Sequence, residues 1–176
     1  MRKLKIDELN RLSISDFKEQ EKVPIIVVLE NIRSLNNVGT IFRTCDAYKV
    51  EAIYLVGITG KPPHREIQKS ALGATESVTW KYFDDTQKAI EELKQNGYFV
   101  CAVEQAEGSV SITEIHEQEF NRLALIFGNE VSGVEQGTIN VCDVCVELPQ
   151  YGTKHSLNVA VCAGITIWES FKLLSR

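Results

Sequence analysis

The stretch PIIVVLENIRSLNNVGTIFRTCDAYKVEAIYLVGI, residues 24–58, predicts the fold class of this chain. Residues 24–30 form a β-branched apolar run with a leading proline, which is typical of a buried strand. Residues 38–50 have helical character, and residues 51–58 form a second apolar strand. Because both strands are nearly continuous apolar runs, the pattern favours a parallel sheet with helices on both faces.

The same alternation continues along the chain. Helices are predicted over 64–74 and 84–97, the second beginning at Asp84 or Asp85 and ending at Gly97. Strands are predicted over 77–83, 98–104 and 123–128, followed by a short helix in VEQGTINVC, a strand in DVCVEL and a long helix over 157–174. We therefore expect an α/β fold, with a largely parallel sheet flanked by helices, over residues 23–176. The polar and charged residues 1–22 are expected to form an N-terminal helical extension.

Composition limits the function classes only loosely. A chain of 176 residues is long enough for one domain with a substantial core. Its net charge of −5 does not suggest a nucleic-acid-binding protein, but a local basic patch matters more than the total. The N-terminal residues lack the apolar core of a signal peptide, and no apolar span of membrane length occurs there. We expect a cytoplasmic protein without membrane contact.

The five cysteines are predicted to be reduced thiols that serve packing. Cys142 and Cys145 form a CxxC pair, which would also suit a redox centre or zinc. A structural zinc needs four ligands, and no second Cys/His pair with ligand spacing accompanies this one. Packing is therefore favoured, and no metal is expected.

Three junctions between a strand and the following loop carry unusual polar residues, and parallel sheets place their sites at such junctions. In the first, ENIRSLNNVGTIFRT, Asn36 or Asn37 can cap the next helix, and Gly39 would leave room beside Arg43 one turn later. A purely structural account is equally open. In that account the asparagine caps, the glycine packs closely and Arg43 pairs with Asp46.

The second junction is FGNEVSGVE, in which Gly128 follows an apolar strand. A glycine there would let the backbone approach a ligand closely, and Glu130 would lie in the open loop. The alternative is an ordinary turn with a solvated glutamate.

The third junction, LPQYGTKHSLNV, places Ser156 as the expected N-cap of the last helix. That helix is apolar on almost all sides, so we expect it to be buried all round. Asn158 would then lie inside a buried first turn, where its amide needs partners. Lys154 and His155 add positive charge beside it.

Taken in order, NNVGTIFRTCDA, LIFGNEVSGV and LPQYGTKHSLNVAVCAGITIWE resemble the three motifs of the SpoU/TrmH family of RNA ribose 2′-O-methyltransferases, in the SPOUT superfamily. The resemblance spans roughly residues 24–174. It implies a SPOUT domain over residues 23–176 with a C-terminal trefoil knot, an exception to the rule that chains avoid threading loops. It also implies S-adenosylmethionine as the cofactor and a homodimer.

The resemblance assigns roles to individual positions. The residues at catalytic or RNA-contacting positions are Asn37, Arg43, Glu130, Ser156 and Asn158. Those expected around the cofactor are Gly128, Leu148, Leu157 and, as a weaker match, Glu104. Arginine normally keeps its proton in proteins. Two roles therefore stay open for Arg43: a base perturbed by an RNA phosphate, or a group that positions the phosphate while another group or water takes the proton.

The expected reaction is methylation of a ribose 2′-hydroxyl in structured RNA, with tRNA favoured over rRNA and no DNA substrate. Basic residues after the second strand and in the third motif could share a face around the cofactor, and we predict RNA contacts at Lys61, Arg65, Lys69 and Lys154. A solvated scatter of charges is the alternative for these residues. The alternatives for the function are an RNA-binding or assembly factor without catalysis, and methylation of a base.

Overall fold

The computed structural model of the chain describes residues 1–175. The strands are β1 Val23–Glu30, β2 Val50–Val56, β3 Thr79–Phe83, β4 Phe99–Val103, β5 Val110–Ser111, β6 Leu123–Phe127 and β7 Val144–Glu147. The α-helices are α1 Ile14–Glu19, α2 Leu35–Ala47, α3 Arg65–Ala71, α4 Ala74–Ser77, α5 Thr86–Gln95, α6 Gln136–Ile139 and α7 Val159–Leu174. Two 3₁₀ segments, Ile6–Leu9 and Ile112–Glu117, complete the order.

The seven strands form one sheet in the order β3-β2-β1-β6-β4-β7-β5, and every neighbouring pair is parallel. The predicted α/β fold with a parallel sheet flanked by helices is therefore confirmed. In this order β6 lies between β1 and β4, and β7 lies beside β4. The carboxyl ends of β1, β6 and β7, from which the three polar junctions start, are consequently brought to the same edge of the sheet.

The core lies on both faces of the sheet. On one face, Val27 and Leu29 of β1 belong to a cluster that includes residues of α2, α3 and α7. On the other face, Val28 of β1 belongs to a second cluster with residues of α5. All eight residues of β1 except Pro24 are buried. Burial on both faces explains why this strand is a continuous apolar run rather than an alternating one.

The helix α2 begins earlier than predicted, and neither asparagine caps it. Ser34 is the N-cap, and its hydroxyl accepts a hydrogen bond from the backbone N–H of Asn37 at 3.3 Å. The local sequence offers Ser34, Asn36 and Asn37 as competing caps, and a shift of one turn places the two asparagines inside the helix. The Asn37 side chain is thereby released for contacts with other segments.

Gly39 leaves no room beside Arg43. A Cβ atom at Gly39 would lie 2.1 Å from the Ser70 hydroxyl oxygen and 2.3 Å from the Ile67 carbonyl oxygen, so this glycine allows α2 and α3 to pack closely. The pair between Arg43 and Asp46, which the purely structural account expected, is also not formed. The Asp46 carboxylate instead accepts a hydrogen bond from the Ser77 hydroxyl at 2.5 Å.

Two predictions about α7 were wrong. The N-cap is Asn158 rather than Ser156, because the Asn158 side-chain oxygen accepts from the backbone N–H of Ala160 at 2.9 Å and of Val161 at 3.3 Å. Asn158 therefore lies at the helix mouth and not inside a buried turn. The helix is also not buried all round. One apolar face is open to solvent, with exposed fractions of 52%, 41% and 43% for Val161, Ile165 and Trp168.

The predictions for α5 and for the N-terminal segment have different outcomes. Asp85 caps α5, as one of the two expected caps, through a hydrogen bond from the Gln87 N–H at 2.8 Å. Within the N-terminal segment, α1 buries Phe17. The division of the chain at residue 22 and the trefoil knot stay predictions. Sequence patterns missed β5 and the 3₁₀ segment that follows it.

The environment of the CxxC pair agrees with the predicted packing role. Cys145 belongs to β7, and burial is the main cause that raises the pKa of both thiols, that of Cys142 to about 12. Both thiols are therefore protonated at neutral pH and poor as nucleophiles. Within residues 1–175 no group of three or more His, Cys, Asp or Glu side chains is placed to hold a metal ion. No helix in that range is long and apolar enough to cross a membrane.

Candidate active site

A cleft of about 740 Å³ opens at the carboxyl edge of the sheet. Its walls come from three chain segments, within 103–107, 127–139 and 147–162. These segments follow β4, β6 and β7. A cleft of this size at the carboxyl ends of parallel strands is where an α/β protein commonly binds a small molecule.

Most of the predicted site residues line this cleft. All four residues expected around a cofactor do so, namely Glu104, Gly128, Leu148 and Leu157. Of the residues at catalytic positions, Glu130, Ser156 and Asn158 also line it. Asn37 and Arg43 do not, but Asn37 contacts two of the lining side chains directly.

A chain of hydrogen bonds joins the three polar junctions at the mouth of the cleft. The Asn37 amide donates from Nδ2 to Oε1 of Glu130 at 3.1 Å. Its Oδ1 accepts a hydrogen bond from Nδ2 of Asn158 at 3.2 Å. The Asn158 oxygen in turn caps α7. An asparagine between these two groups uses both its donor and its acceptor, which neither an aspartate nor a leucine could do.

Glu130 is exposed, but backbone donors fix its carboxylate, unlike a free glutamate in an ordinary turn. Its Oε2 accepts from the N–H of Arg33 at 2.9 Å, and its Oε1 accepts from the N–H of Ser34 at 3.0 Å. Burial acts to raise the pKa of Glu130, but these two hydrogen bonds and that from Asn37 outweigh it, so the pKa lies below its ordinary value. The carboxylate is therefore ionised at neutral pH and a weak base.

Gly128 is required by the loop itself rather than by a ligand. A Cβ atom at this position would lie 2.1 Å from backbone atoms of Gly133 and Val134. The bridge between Asn129 and Gly133 closes the same loop. The group that comes close to Gly128 is therefore the chain itself, and an approach of its backbone to a ligand stays a prediction.

Sequence reasoning missed Asn129, although this residue lies between Gly128 and Glu130. Its side-chain oxygen accepts from the N–H of Val131 at 2.8 Å, and its Nδ2 donates to the carbonyl of Asn31 at 2.7 Å. Asparagine commonly forms turns, so its position directly after a strand could have predicted this role. Asn129 therefore shapes the loop and ties it to the end of β1.

The buried carboxylate of Glu30 was also missed. This residue ends β1 and is fully buried. It accepts hydrogen bonds from the hydroxyl groups of Thr86 and Thr138, at 2.7 and 2.5 Å, and from the N–H of Glu135 at 2.9 Å. The signal was a charged residue at the end of an otherwise apolar strand. Glu30 anchors the start of α6, beneath the loop that carries Glu130.

The cleft is acidic. Its lining includes the carboxylates of Glu104, Glu107, Glu130 and Glu147, and no lysine or arginine of residues 1–175 is among the lining residues. Burial raises the pKa of the Cys162 thiol, which also lines the cleft, to about 11, so this group stays a neutral thiol. A cleft lined by one sign of charge concentrates ligands of the opposite sign. This lining favours a cationic small molecule and disfavours a free phosphate.

The loop 149–157 between β7 and α7 presents open backbone donors. Residues 151–157 are all exposed. Within the described part of the chain, no backbone N–H of residues 150–157 donates a hydrogen bond to a protein group. One wall of the cleft thus offers N–H groups that a ligand could satisfy.

The predicted basic residues lie outside the cleft, on the surface. Arg65 and Lys69 are exposed and stand one turn apart on α3, and the Lys61 ammonium lies 3.8 Å from the ring centre of Tyr82. Lys154 is exposed in the loop 149–157. Arg43 is exposed on α2, and none of the residues 1–175 forms an ion pair with it. Six residues separate it from Asn37, or about 9 Å along the helix axis.

The parallel sheet, with a cleft at the carboxyl ends of its strands, is the architecture of α/β proteins that bind small molecules at that edge. Three linked polar motifs border the cleft. The profile of the SpoU rRNA Methylase family matches residues 24–168. The chain belongs to that family.

Individual relatives are distant but cover most of this chain. A protein of Staphylococcus aureus strain MSSA476, assigned to the TrmH family of tRNA/rRNA methyltransferases, is 28% identical over 156 residues, which are 88% of this chain and 61% of that protein. The chain thus spans about three-fifths of the length of the first curated relatives it matches.

Two solved structures are similar in fold and sequence. The AdoMet-bound rRNA methyltransferase from Sinorhizobium meliloti has a TM-score of 0.81 and 28% identity, covering 90% of this chain and 60% of that one. The A. aeolicus TrmH/SpoU tRNA modifying enzyme has a TM-score of 0.80 and 26% identity, covering 91% of this chain and 81% of that one.

Proposed function

We propose that this protein methylates a ribose 2′-hydroxyl in structured RNA with S-adenosylmethionine as the methyl donor. The hydrogen-bonded chain from Glu130 through Asn37 to Asn158 is the observation that carries the proposal, because it unites the three motifs at the mouth of one cleft. Family membership and the AdoMet-bound S. meliloti relative support the same activity. The S. meliloti rRNA enzyme and the A. aeolicus tRNA modifying enzyme are about equally similar to this chain. The choice of tRNA over rRNA is part of the proposal.

The cleft suits the proposed cofactor. S-adenosylmethionine bears a positively charged sulfonium, and the four lining carboxylates complement that charge. The open N–H groups of the loop 149–157 can satisfy the acceptors of an adenine base. Around it, Gly128, Leu148 and Leu157 supply backbone and apolar surface, and Glu104 forms part of the same wall.

The proposed reaction is a nucleophilic displacement. When bound, the cofactor supplies an electrophilic methyl group whose leaving group is a neutral thioether. The thioether leaves without charge, so alignment of the ribose hydroxyl and transfer of its proton to water set the barrier. Ser156 and Asn158 line the cleft, which supports the proposal that they orient that hydroxyl. Glu130, a weak base with three N–H partners, is better suited to holding the motifs together.

We propose that Arg43 positions an RNA phosphate. Its guanidinium is exposed, outside the cleft and without an ionic partner within residues 1–175. This placement fits a contact with the substrate backbone better than the role of a base at the cofactor. Arg43→Ala should abolish methyl transfer with little loss of stability. Arg43→Lys should rescue poorly, since a point charge cannot reproduce the planar fork; a lysine variant near wild type would reduce the role to a counter-charge.

We propose that RNA approaches across α3. Lys61, Arg65 and Lys69 are exposed on or near that helix, which packs on α2, the helix that carries Arg43. Lys154 adds a further exposed positive charge, in the loop 149–157. Together they supply phosphate contacts that the acidic cleft itself lacks.

We propose that two copies associate through α7 as a homodimer. The exposed face formed by Val161, Ile165 and Trp168 bears no charge, and Glu169 and Lys172 pair with each other beside it at 2.5 Å. An uncharged apolar patch is complementary to a copy of itself across a two-fold axis. The face continues through Leu157 into the cleft lining. Separately, we propose a cytoplasmic location.

The activity is tested by incubating the protein with S-adenosylmethionine and total RNA from cells that lack it. Nuclease digestion and mass spectrometry should then reveal a 2′-O-methylated nucleoside. Asn158→Ala should lose the product, whereas the control Asn121→Ala, at an exposed asparagine outside the cleft, should keep it.

Two other results would redirect the proposal. Methyl groups found on a base would mean base methylation. RNA binding without any methyl transfer would favour an assembly factor that retains the fold.

A further inference from the structure

Two residues outside the three motifs, Glu104 and Gln105, follow the central strand β4. The Glu104 N–H donates to the Val146 carbonyl at 2.9 Å and so continues the ladder between β4 and β7. The Glu104 side chain is partly buried, and Gln105 is exposed. The pair therefore starts from a fixed point of the sheet and extends into the cleft wall.

Glu104 holds the loop that carries Glu130. Its Oε2 accepts from the N–H of Val134 at 3.0 Å, and its Oε1 accepts from the N–H of Gln105 at 2.8 Å. Gly133 has a φ of +70°, and a Cβ atom there would lie 2.1 Å from the Glu104 carboxylate. A side chain at Gly133 would thus displace the carboxylate that fixes this loop.

Gln105 holds the opposite loop. Its Nε2 donates to the carbonyl of His155 at 2.7 Å. Within residues 1–175, this is the single hydrogen bond that ties residues 149–157 to the rest of the protein. The same loop presents the unsatisfied N–H groups of the cleft wall. Its position against the cleft depends on Gln105 more than on any other side chain.

We propose that Gln105 is a positioning residue, which holds the loop 149–157 in the geometry that binds the cofactor, while Glu104 couples that loop to the loop carrying Glu130. This inference rests on the proposed function, because it takes the cleft to be the S-adenosylmethionine site. Gln105 acts through the backbone at His155. Without its hydrogen bond the loop samples other positions, and the ligand must order it on binding, which lowers affinity.

The test is calorimetric titration of the full chain with S-adenosylmethionine at pH 8. Gln105→Glu replaces the donor by a carboxylate facing a carbonyl, and Gln105→Met removes the donor at similar size. We expect each to weaken binding by about threefold to tenfold, the range for one hydrogen bond. Gln105→Lys restores a donor and should recover most of the loss. The control Gln87→Glu makes the same charge change at an exposed glutamine on α5 and should bind as wild type.

A pH series separates positioning from a general loss of structure. A protonated glutamic acid can donate a hydrogen bond, so the deficit of Gln105→Glu relative to wild type should shrink between pH 8 and pH 5. The deficit of Gln105→Met should not change. Equal affinities of wild type, Gln105→Glu and Gln105→Met at pH 8 would overturn the inference. Absence of binding by the wild-type chain would instead overturn the proposed function.

Discussion

Asn158 donates a hydrogen bond to Asn37 across 3.2 Å, although 121 residues separate them along the chain. The contact joins the N-terminal ends of α2 and α7. Through Asn37 it reaches Glu130, whose carboxylate is bound by the backbone before α2. The mouth of the cleft is therefore one hydrogen-bonded unit, and we expect a change at one member to affect the others.

Asn37→Asp should destabilise the protein by about 1–3 kcal/mol at pH 7, the cost of an unsatisfied or repelled buried polar group. The Asn37 side chain is buried, and an introduced carboxylate would face Glu130 where an amide now donates at 3.1 Å. Urea unfolding of wild type and variant measures the difference.

The matched control is Asn36→Asp, at the exposed neighbour in the same helical turn, where the helix N-terminus tolerates negative charge. Repulsion by Glu130 raises the pKa of the new carboxyl in the folded state. The deficit should therefore be small below pH 4 and grow as the pH rises towards 7. A deficit that is constant with pH would point to altered packing instead.

Glu130→Gln should lower stability at neutral pH but not in acid. The pKa of Glu130 is depressed in the folded state, so its contribution is present above the unfolded pKa, near 4.3, and is lost as the pH falls through the folded value. The difference in unfolding free energy between wild type and Glu130→Gln should shrink on going from pH 7 to pH 3. A difference that widens in acid would contradict the depressed pKa.

Gly128→Ala should destabilise the loop 128–134 and abolish binding of S-adenosylmethionine. The added Cβ would lie 2.1 Å from backbone atoms that cannot rotate away, so we expect a cost of at least about 1–3 kcal/mol. Gly137→Ala is the control, because its Cβ would meet nothing within 4 Å and alanine is the better helix former. Calorimetric binding and thermal unfolding measure both effects. Normal binding by Gly128→Ala would show that the loop can rearrange.

Val161→Glu should convert a dimer into monomers, because it places a charge on the apolar face of α7. Val161 is 52% exposed, so the substitution should leave the fold intact. Ile58→Glu introduces the same charge at a 68% exposed isoleucine in another segment and should not change the mass. Sedimentation equilibrium reads out both variants. A monomeric wild-type chain, or a dimeric Val161→Glu, would remove α7 as the interface.

Replacing Lys61, Arg65 and Lys69 together by alanine should weaken RNA binding and flatten its salt dependence. Each lost phosphate contact reduces the log–log slope by roughly 0.7 to 0.9. Affinity for S-adenosylmethionine should stay unchanged, because these residues lie outside the cleft. Nitrocellulose filter binding over a salt series measures the slope. An unaltered slope, with a reduced slope in the Lys3→Ala, Lys5→Ala variant, would place the RNA along the N-terminal segment.

The sequence by itself determined most of the strands and longer helices and the positions of the three polar junctions, but not β5 or the 3₁₀ segment after it. A strand that is buried on both faces consists of a continuous apolar run, such as residues 24–30 or 123–127. Such a run can be recognised from the local sequence alone. The motif resemblance determined the family and pointed to Glu130 and Asn158. Caps were predicted less well, since Ser34, Asn36 and Asn37 all satisfy the local rule and only packing selects one.

Only the tertiary structure decided which contacts those residues make. Asn37 meets Asn158, and Gln105 meets His155, because the strand order brings β6 between β1 and β4 and β7 beside β4. Such contacts join segments far apart in the chain, and no periodicity or spacing encodes them. The exposed face of α7 has the same origin: an apolar helix predicts burial, but the sheet can cover only one side of it.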